Sequence, residues 1–330
     1  MAVAFPYTPF PFNVTAISPS FHLSPVSVTT NVSLGWAPSC ATPECLPTAS
    51  WSTSAINSTL SFKYWGWDVA LDGNVKGNMS VELFNEEGRI IWNPSGDKLF
   101  SLRGGPDDHL QRNITLRVID ASLGSQLTVT RARVNGSSRG DYTWPADRWI
   151  VPSDNDRLSY SGFIPQTSVA QAGSPTTYSS STAGDSVSMQ FNGSAFLIYG
   201  PCGPTNGLMR VTVDGNQQTV NTSKPFASDD CLLFQSPGQN IHNLHQLVVE
   251  NVDGRTLGID RFEFFRIQLY QRSGSANGKR VAVILCTIVG AIVLCSVVIV
   301  IYVRRSVKRK MNPEADRPRA GHRGFMWLHR

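Results

Sequence analysis

Two tryptophans, Trp65 and Trp67, flank Gly66. An indole pair beside a turn glycine suits one task in particular, presenting flat apolar faces on which a sugar ring can stack while polar neighbours bond its hydroxyls. Both are expected as ligand-stacking residues, with packing against a neighbouring domain or over a core edge as the alternative. Trp92, Trp144 and Trp149 are weaker candidates, the last two expected at a domain junction. No metalloprotease H-E-x-x-H, phosphate-binding glycine loop or dinucleotide fingerprint occurs. His242 and His245 stand three apart, which on a strand places them on opposite faces; they make no metal pair, and His245 is expected to begin a strand. Asp107-Asp108 and Asp229-Asp230 read as solvated loop acids, with a calcium site as the alternative. No two carboxylates are marked out for glycoside hydrolysis. The expectation is a non-enzyme with no catalytic residues, no metal and no cofactor.

Charge is divided along the chain. Residues 1–280 hold 20 Lys and Arg against 22 Asp and Glu, whereas residues 304–330 hold 9 against 2. The overall +5 therefore belongs to the C-terminal tail, and the body carries no electrostatic footprint for nucleic acid.

Between the two lies Val281 to Val303, 23 residues without a charge. As a helix this run is about 35 Å long, enough to cross a hydrocarbon core of about 30 Å with some tilt. Lys279 and Arg280 precede it, and the denser cluster Arg304, Arg305, Lys308, Arg309, Lys310 follows. That asymmetry puts the tail in the cytoplasm and the N-terminal 280 residues outside, a single-pass type I plasma-membrane topology in contact with the lipid bilayer. Eight Asn-x-Ser/Thr sequons, at Asn13, Asn31, Asn57, Asn78, Asn113, Asn135, Asn192 and Asn221, all precede the helix and are expected as glycosylation sites; richness in Ser and Thr would also raise their number. Ala282, Cys286 and Gly290 form a small-residue stripe through which two such helices could pair as a homodimer. The start, MAVAFPYTPFPFNVT, has neither the basic nor the apolar segment of a signal peptide, so the expectation is that this element is missing from the chain.

Cys286 and Cys295 lie in the apolar run, which leaves Cys40, Cys45, Cys202 and Cys231 as an even set in the outer region. Cys40–Cys45 and Cys202–Cys231 are the expected disulfides among three pairings that sequence leaves open.

The elements that must position the tryptophans are repeated. Leu60 to Gly73, LSFKYWGWDVALDG, matches Val187 to Gly200, VSMQFNGSAFLIYG, at an offset of 127. Gly77-Asn-Met-Ser-Val-Glu-Leu matches Gly207-Leu-Met-Arg-Val-Thr-Val, and Leu127-Thr-Val-Thr-Arg matches Leu257-Gly-Ile-Asp-Arg, both at 130; Trp51 falls opposite Tyr178. Each block alternates apolar and polar residues, as strands buried on one face do, and glycines and Asp-Gly pairs punctuate them. The pattern predicts an all-β chain of two tandem sandwich domains, 1–140 with an irregular Pro-rich start and 146–265. A stalk at 266–280, the membrane helix at 281–303 and a basic tail at 304–330 complete it. The first repeat's start, before Trp51, has no clear counterpart.

The second repeat resembles the galactose-binding-like jelly-roll modules found in tandem on fungal, basidiomycete-type single-pass surface proteins. The resemblance is carried by Leu158-Ser-Tyr-Ser-Gly-Phe, Ser188-Met-Gln-Phe-Asn-Gly-Ser, Leu197-Ile-Tyr-Gly, Val211-Thr-Val-Asp-Gly, His245-Gln-Leu-Val-Val-Glu-Asn and Leu257-Gly-Ile-Asp-Arg-Phe, in that order. The first repeat departs from it, with no Val-Asp-Gly after Val81 and no His opposite His245. The resemblance implies jelly-roll folds and a glycan-binding ancestry. The expected function is a non-enzymatic surface receptor or tether contacting cell-wall or other extracellular glycans. A structural or protein-interaction module without sugar binding, or a membrane-anchored carbohydrate-active enzyme, are the alternatives.

Overall fold

Alternation along Thr59–Trp65 sets the first half of the molecule. Leu60, Phe62 and Tyr64 are buried while Ser61, Lys63 and Trp65 face the other way. In the second half Val187, Met189 and Phe191 repeat the pattern on Ser186–Phe191. The computed structural model describes residues 11–27, 29–39, 50–66, 68–85, 88–92, 98–102, 111–135, 146–166, 176–240, 243–267, 290 and 292–307. Among the described residues up to 267 the regular structure is β, apart from a single 3-10 turn at Val32–Leu34.

The same arrangement is built twice. In the first half one sheet runs Phe21–Ser24, Thr59–Trp65, Gln111–Ala121, Met79–Asn85, Gly88–Trp92. Its partner in the second half runs Ser159–Ser161, Ser186–Phe191, His245–Asn251, Leu208–Val213, Asn216–Asn221, strand for strand in the same order. The facing sheet of the first half orders Ala37–Pro38, Trp51–Thr53, Gln126–Asn135, Asp68–Lys76, Lys98–Leu102, with Phe12–Thr15 also on Gln126–Asn135. In the second half the long strand Gln126–Asn135 is divided at Asp260 into Leu257–Ile259 and Arg261–Ile267. The sheet divides with it, into Ile164–Gln166, Thr177–Ser180, Leu257–Ile259 and into Ala146–Pro152, Arg261–Ile267, Ala195–Cys202, Ser228–Gln235. Each pair of facing sheets closes over one buried apolar cluster.

Sequence matches and structure coincide at particular atoms. An ideal Cβ at Gly73 would land on the Thr128 carbonyl oxygen, and one at Gly200 on that of Gly258, which is Thr128's counterpart. Only glycine allows the two strands to approach this closely at each site. Trp51 pairs with Val129 as Tyr178 pairs with Ile259.

Where the first half is bulged between Val129 and Arg131, Thr130 donates to the Asp72 carbonyl at 3.0 Å. Asp260 takes that place in the second half. Burial pushes its carboxyl up to about 6, although the Thr177 hydroxyl donates to it at 2.5 Å.

The two halves are not separate beads. Residues 1–269 form one compact unit. Ala195–Cys202 shows why: Phe196 and Ile198 enter the second half's own cluster, while Leu197 and Tyr199 enter the first half's. Leu233 and Phe264 likewise point inward where Leu232 and Phe265 cross over. A strand buried on both faces loses alternation and becomes a continuous apolar run, as Ala195-Phe-Leu-Ile-Tyr does. In return Ile17 of the first half enters the second cluster, and its neighbour Ser18 accepts from the Leu232 N–H at 3.1 Å.

Three expectations are adjusted. The last strand runs to Ile267, two residues past the expected end of the second domain at 265. Trp149 serves the second half's own packing, stacked on Phe264 at 5.5 Å, rather than a junction. Asp229 and Asp230 lie on the strand Ser228–Gln235, not in a loop, and Asp230 accepts from Arg261 at 2.8 Å.

Residues 270–330 form a second unit. Residues 292–307 are helical, and Ile292, Leu294, Val298 and Ile301 are among its exposed apolar side chains. Among the described residues no helix is long and apolar enough to cross a membrane. Residues 281–289 and 291 of the expected span lie outside them, as do the tail beyond 307, Cys40, Cys45 and Cys286.

Candidate functional site

Trp65 ends its strand at the edge of the interface between the halves, and its backbone is fixed there. The Trp65 N–H donates to Gln235 Oε1 at 2.9 Å, and Gln235 Nε2 donates back to the Trp65 carbonyl. Gln235 comes from the last position of Ser228–Gln235, so the second half sets the geometry of the first half's tryptophan.

A groove of about 540 Å3 opens at this edge. One wall carries Trp65, Lys63 and Gln111, the last paired with Trp65 in the strand register. Residues two apart on a strand share a face, so Lys63 and Trp65 point the same way, opposite the core residues Phe62 and Tyr64. Gln218, Asn221, Lys224, Phe234 and Gln235 of the second half and Phe21 and His22 of the first also line the groove. Lys224 is half-buried and its Nζ donates to the Phe21 carbonyl at 2.6 Å; burial pushes this amine down to about 8. No Asp or Glu occurs among the described residues that line the groove.

Chemically this lining combines an aromatic face with hydrogen-bond donors and acceptors. The indole is half-buried and stands among amides that can both donate and accept. Trp67, the other candidate, lies outside the described residues. Nothing in the sequence singles out Gln111, Gln218 or Lys224: Gln111 meets Trp65 through strand pairing within the first half, and Gln218 and Lys224 line the same groove from the second half.

The remaining candidates fall elsewhere. Cys202 and Cys231 form a disulfide with Cα atoms 6.0 Å apart, both buried, between paired strands of the second half. His245 is buried at the start of its strand, with Nδ1 2.6 Å from Asp214 Oδ2 and Nε2 2.7 Å from the Asn240 carbonyl. It braces the Asp214-Gly215 turn; His242 lies outside the described residues, as do Asp107 and Asp108. Among the described residues no group of three His, Cys, Asp or Glu is placed to hold a metal ion.

The run Gly136-Ser-Ser-Arg-Gly has the spacing of a nucleophile elbow. It too lies outside the described residues. Of the sequon asparagines, Asn13, Asn31, Asn57, Asn78, Asn113 and Asn221 are exposed. Asn192 is half-buried, and the Ser194 hydroxyl of its sequon donates to the Phe265 carbonyl at 3.0 Å.

No protein-family model and no curated protein matches this chain. Among solved structures it is similar to a family two carbohydrate esterase from Cellvibrio japonicus, at 10% identity over 38% of this chain and 36% of that one, with a TM-score of 0.29. It is also similar to a xanthan lyase from Paenibacillus, at 12% identity over 81% and 27%, with a TM-score of 0.28. The tandem CBM22-1-CBM22-2 domain of Xyn10C from Paenibacillus barcinonensis gives 10% identity over 79% and 90%, with a TM-score of 0.23. The chain thus spans well under two thirds of the esterase and of the lyase, and all three scores are too low to establish a shared fold.

Proposed function

We propose that this chain is a non-enzymatic, single-pass type I surface protein whose two jelly-roll halves hold a glycan in the groove between them, as a receptor or tether. The observation that carries the reading is the half-buried Trp65 on a groove wall with Gln111 and Gln218 nearby, its backbone fixed by Gln235. Aromatic stacking supplies affinity, and the donors and acceptors of the neighbouring amides supply orientation. A described lining without carboxylates favours binding over hydrolysis, which needs an acid and a base flanking the scissile bond. The resemblance to fungal tandem surface modules points the same way. The uncharged run 281–303 and the basic cluster after it support the membrane anchor, as does the exposed apolar surface of the helix at 292–307.

The test is binding of the full chain, in neutral-lipid nanodiscs, to an array of wall polysaccharides and their oligosaccharides. Trp65→Ala should weaken binding at least tenfold while leaving the melting temperature within a few degrees, as expected for an aromatic anchor at a site rather than in a core. No retained glycan, or binding indifferent to Trp65, would sink the proposal. A C-terminal tag that resists protease in sealed vesicles, with an ectodomain mass that falls on glycosidase treatment, is the expected topology.

A further inference from the structure

Residues 1–280 are slightly acidic overall, yet the groove is lined by Lys63, Lys224 and His22 with no carboxylate among its described lining residues. A general excess of basic residues cannot account for this, so the bias belongs to the groove.

Lys224 is the informative member. An ammonium has three N–H donors, and the structure gives this one a single acceptor, the Phe21 carbonyl at 2.6 Å. The side chain stands where the groove meets a second, smaller cavity of about 240 Å3 lined by Ile17, Phe21, Val26 and Trp51. Withdrawing a cation from water against such apolar walls costs free energy, and desolvation alone holds its amine down near 8. The ordinary way to offset that cost is a buried anion close by, and the described lining offers none. Lys63, exposed on the same strand face as Trp65, adds a second positive charge to the groove's lining.

We propose that the groove selects anionic glycans, with Lys224 as the residue that receives the ligand's carboxylate or sulfate while Trp65 carries its ring. The proposal rests on the glycan-binding reading above and deepens it from sugar to acidic sugar. Uronic-acid polymers and sulfated polysaccharides share the recognised chemistry, and the experiment distinguishes them.

Affinities of the full chain in neutral-lipid nanodiscs are measured for oligogalacturonate, for sulfated dextran and for laminarin, a neutral glucan, at low and at moderate salt. Because Asn221 lies on the groove wall and carries a sequon, each measurement is made on the wild-type protein and on Asn221→Gln. At least one acidic ligand should bind tenfold or more tighter than laminarin at low salt, and the preference should shrink as salt rises. Lys224→Met should abolish the preference, read as the ratio of acidic to neutral affinity in the folded variant; Lys224→Arg should restore most of it; Lys63→Gln should reduce it by less. The basic tail is common to all variants, so the difference between them reads the groove.

In the wild type the acidic preference should also fall as pH rises through about 8, and in Lys224→Met it should not. Equal binding of acidic and neutral ligands, or an acidic preference that survives Lys224→Met, overturns the inference and leaves the glycan-binding reading standing. Failure of every ligand overturns both. Whether the carboxylate or the sulfate ligand wins names the source.

Discussion

The side-chain amide of Gln235 satisfies both backbone polar groups of Trp65, accepting from its N–H at 2.9 Å and donating to its carbonyl. A strand end normally leaves those groups to water or to a neighbouring strand of its own sheet. Here a residue 170 positions later in the chain takes them, so the first half's groove wall depends on the second half's last long strand.

Gln235→Leu, which keeps the volume and removes both hydrogen-bonding atoms, should therefore destabilise the unit. Leaving two part-buried groups unpaired costs about 1–3 kcal/mol, and for a unit of this size each kcal/mol is worth about 2–4 °C in melting temperature. Gln235→Glu keeps the acceptor and loses the donor, and should fall between the two. Hydrogen exchange locates the effect: the Trp65 amide should lose protection in Gln235→Leu while the amides of the Leu60 and Phe62 region keep theirs. Unchanged protection at Trp65 would show that the amide clamp contributes nothing in solution.

A second prediction follows from the two glycines. Gly73 and Gly200 each face a carbonyl oxygen of the crossing strand, Thr128 and Gly258 respectively. Adding a methyl group at either site must push backbone against backbone; the Leu99 and Leu233 side-chain tips nearby can shift, but the carbonyl that is met first cannot. Gly73→Ala and Gly200→Ala should each cost about 1–3 kcal/mol, the usual range for overpacking, whereas Gly124→Ala, whose Cβ would meet open space, should cost only its backbone strain at positive φ. Denaturant midpoints measure all three. A mild effect at one of the paired glycines and a severe one at the other would mean that the halves do not share this packing.

Those glycines also show why much of the fold was legible in the sequence. Contacts within a repeat are constrained by local spacing, so the matched blocks carry Gly73 over Gly200 and Trp51 over Tyr178 without a gap. The strands before Trp51 escaped because their spacing changed. Phe12 and Val14 pair on Gln126–Asn135 as Trp149 and Val151 pair on Arg261–Ile267, at an offset of 137 rather than 127.

The groove escaped for a different reason. Trp65 drew notice as an outward aromatic, but its surroundings are assembled from both halves by a sheet whose outer face is buried. The one trace of that in the sequence is the loss of alternation in Ala195-Phe-Leu-Ile-Tyr.

The last prediction concerns acid stability, and rests on the brace between His245 and Asp214. Asp214 and Gly215 both take positive φ in the two-residue turn between Leu208–Val213 and Asn216–Asn221. The Asp214 carboxylate accepts from His245 and from the Gln246 N–H at 2.8 Å, and these bonds hold its carboxyl below the usual 3.8. A carboxyl depressed on folding adds stability that is fully present above its unfolded value and is lost as pH falls through the lower folded one. Asp214→Asn keeps a side chain that tolerates the left-handed backbone while removing the ionisable group. Wild type should then be the more stable protein at pH 5 to 7, with the gap closing as pH drops below the ordinary carboxylate range towards 2. Urea unfolding at a series of pH values measures it. A gap of constant size across that range would mean that the turn is held by its shape alone and that the charge on Asp214 plays no part.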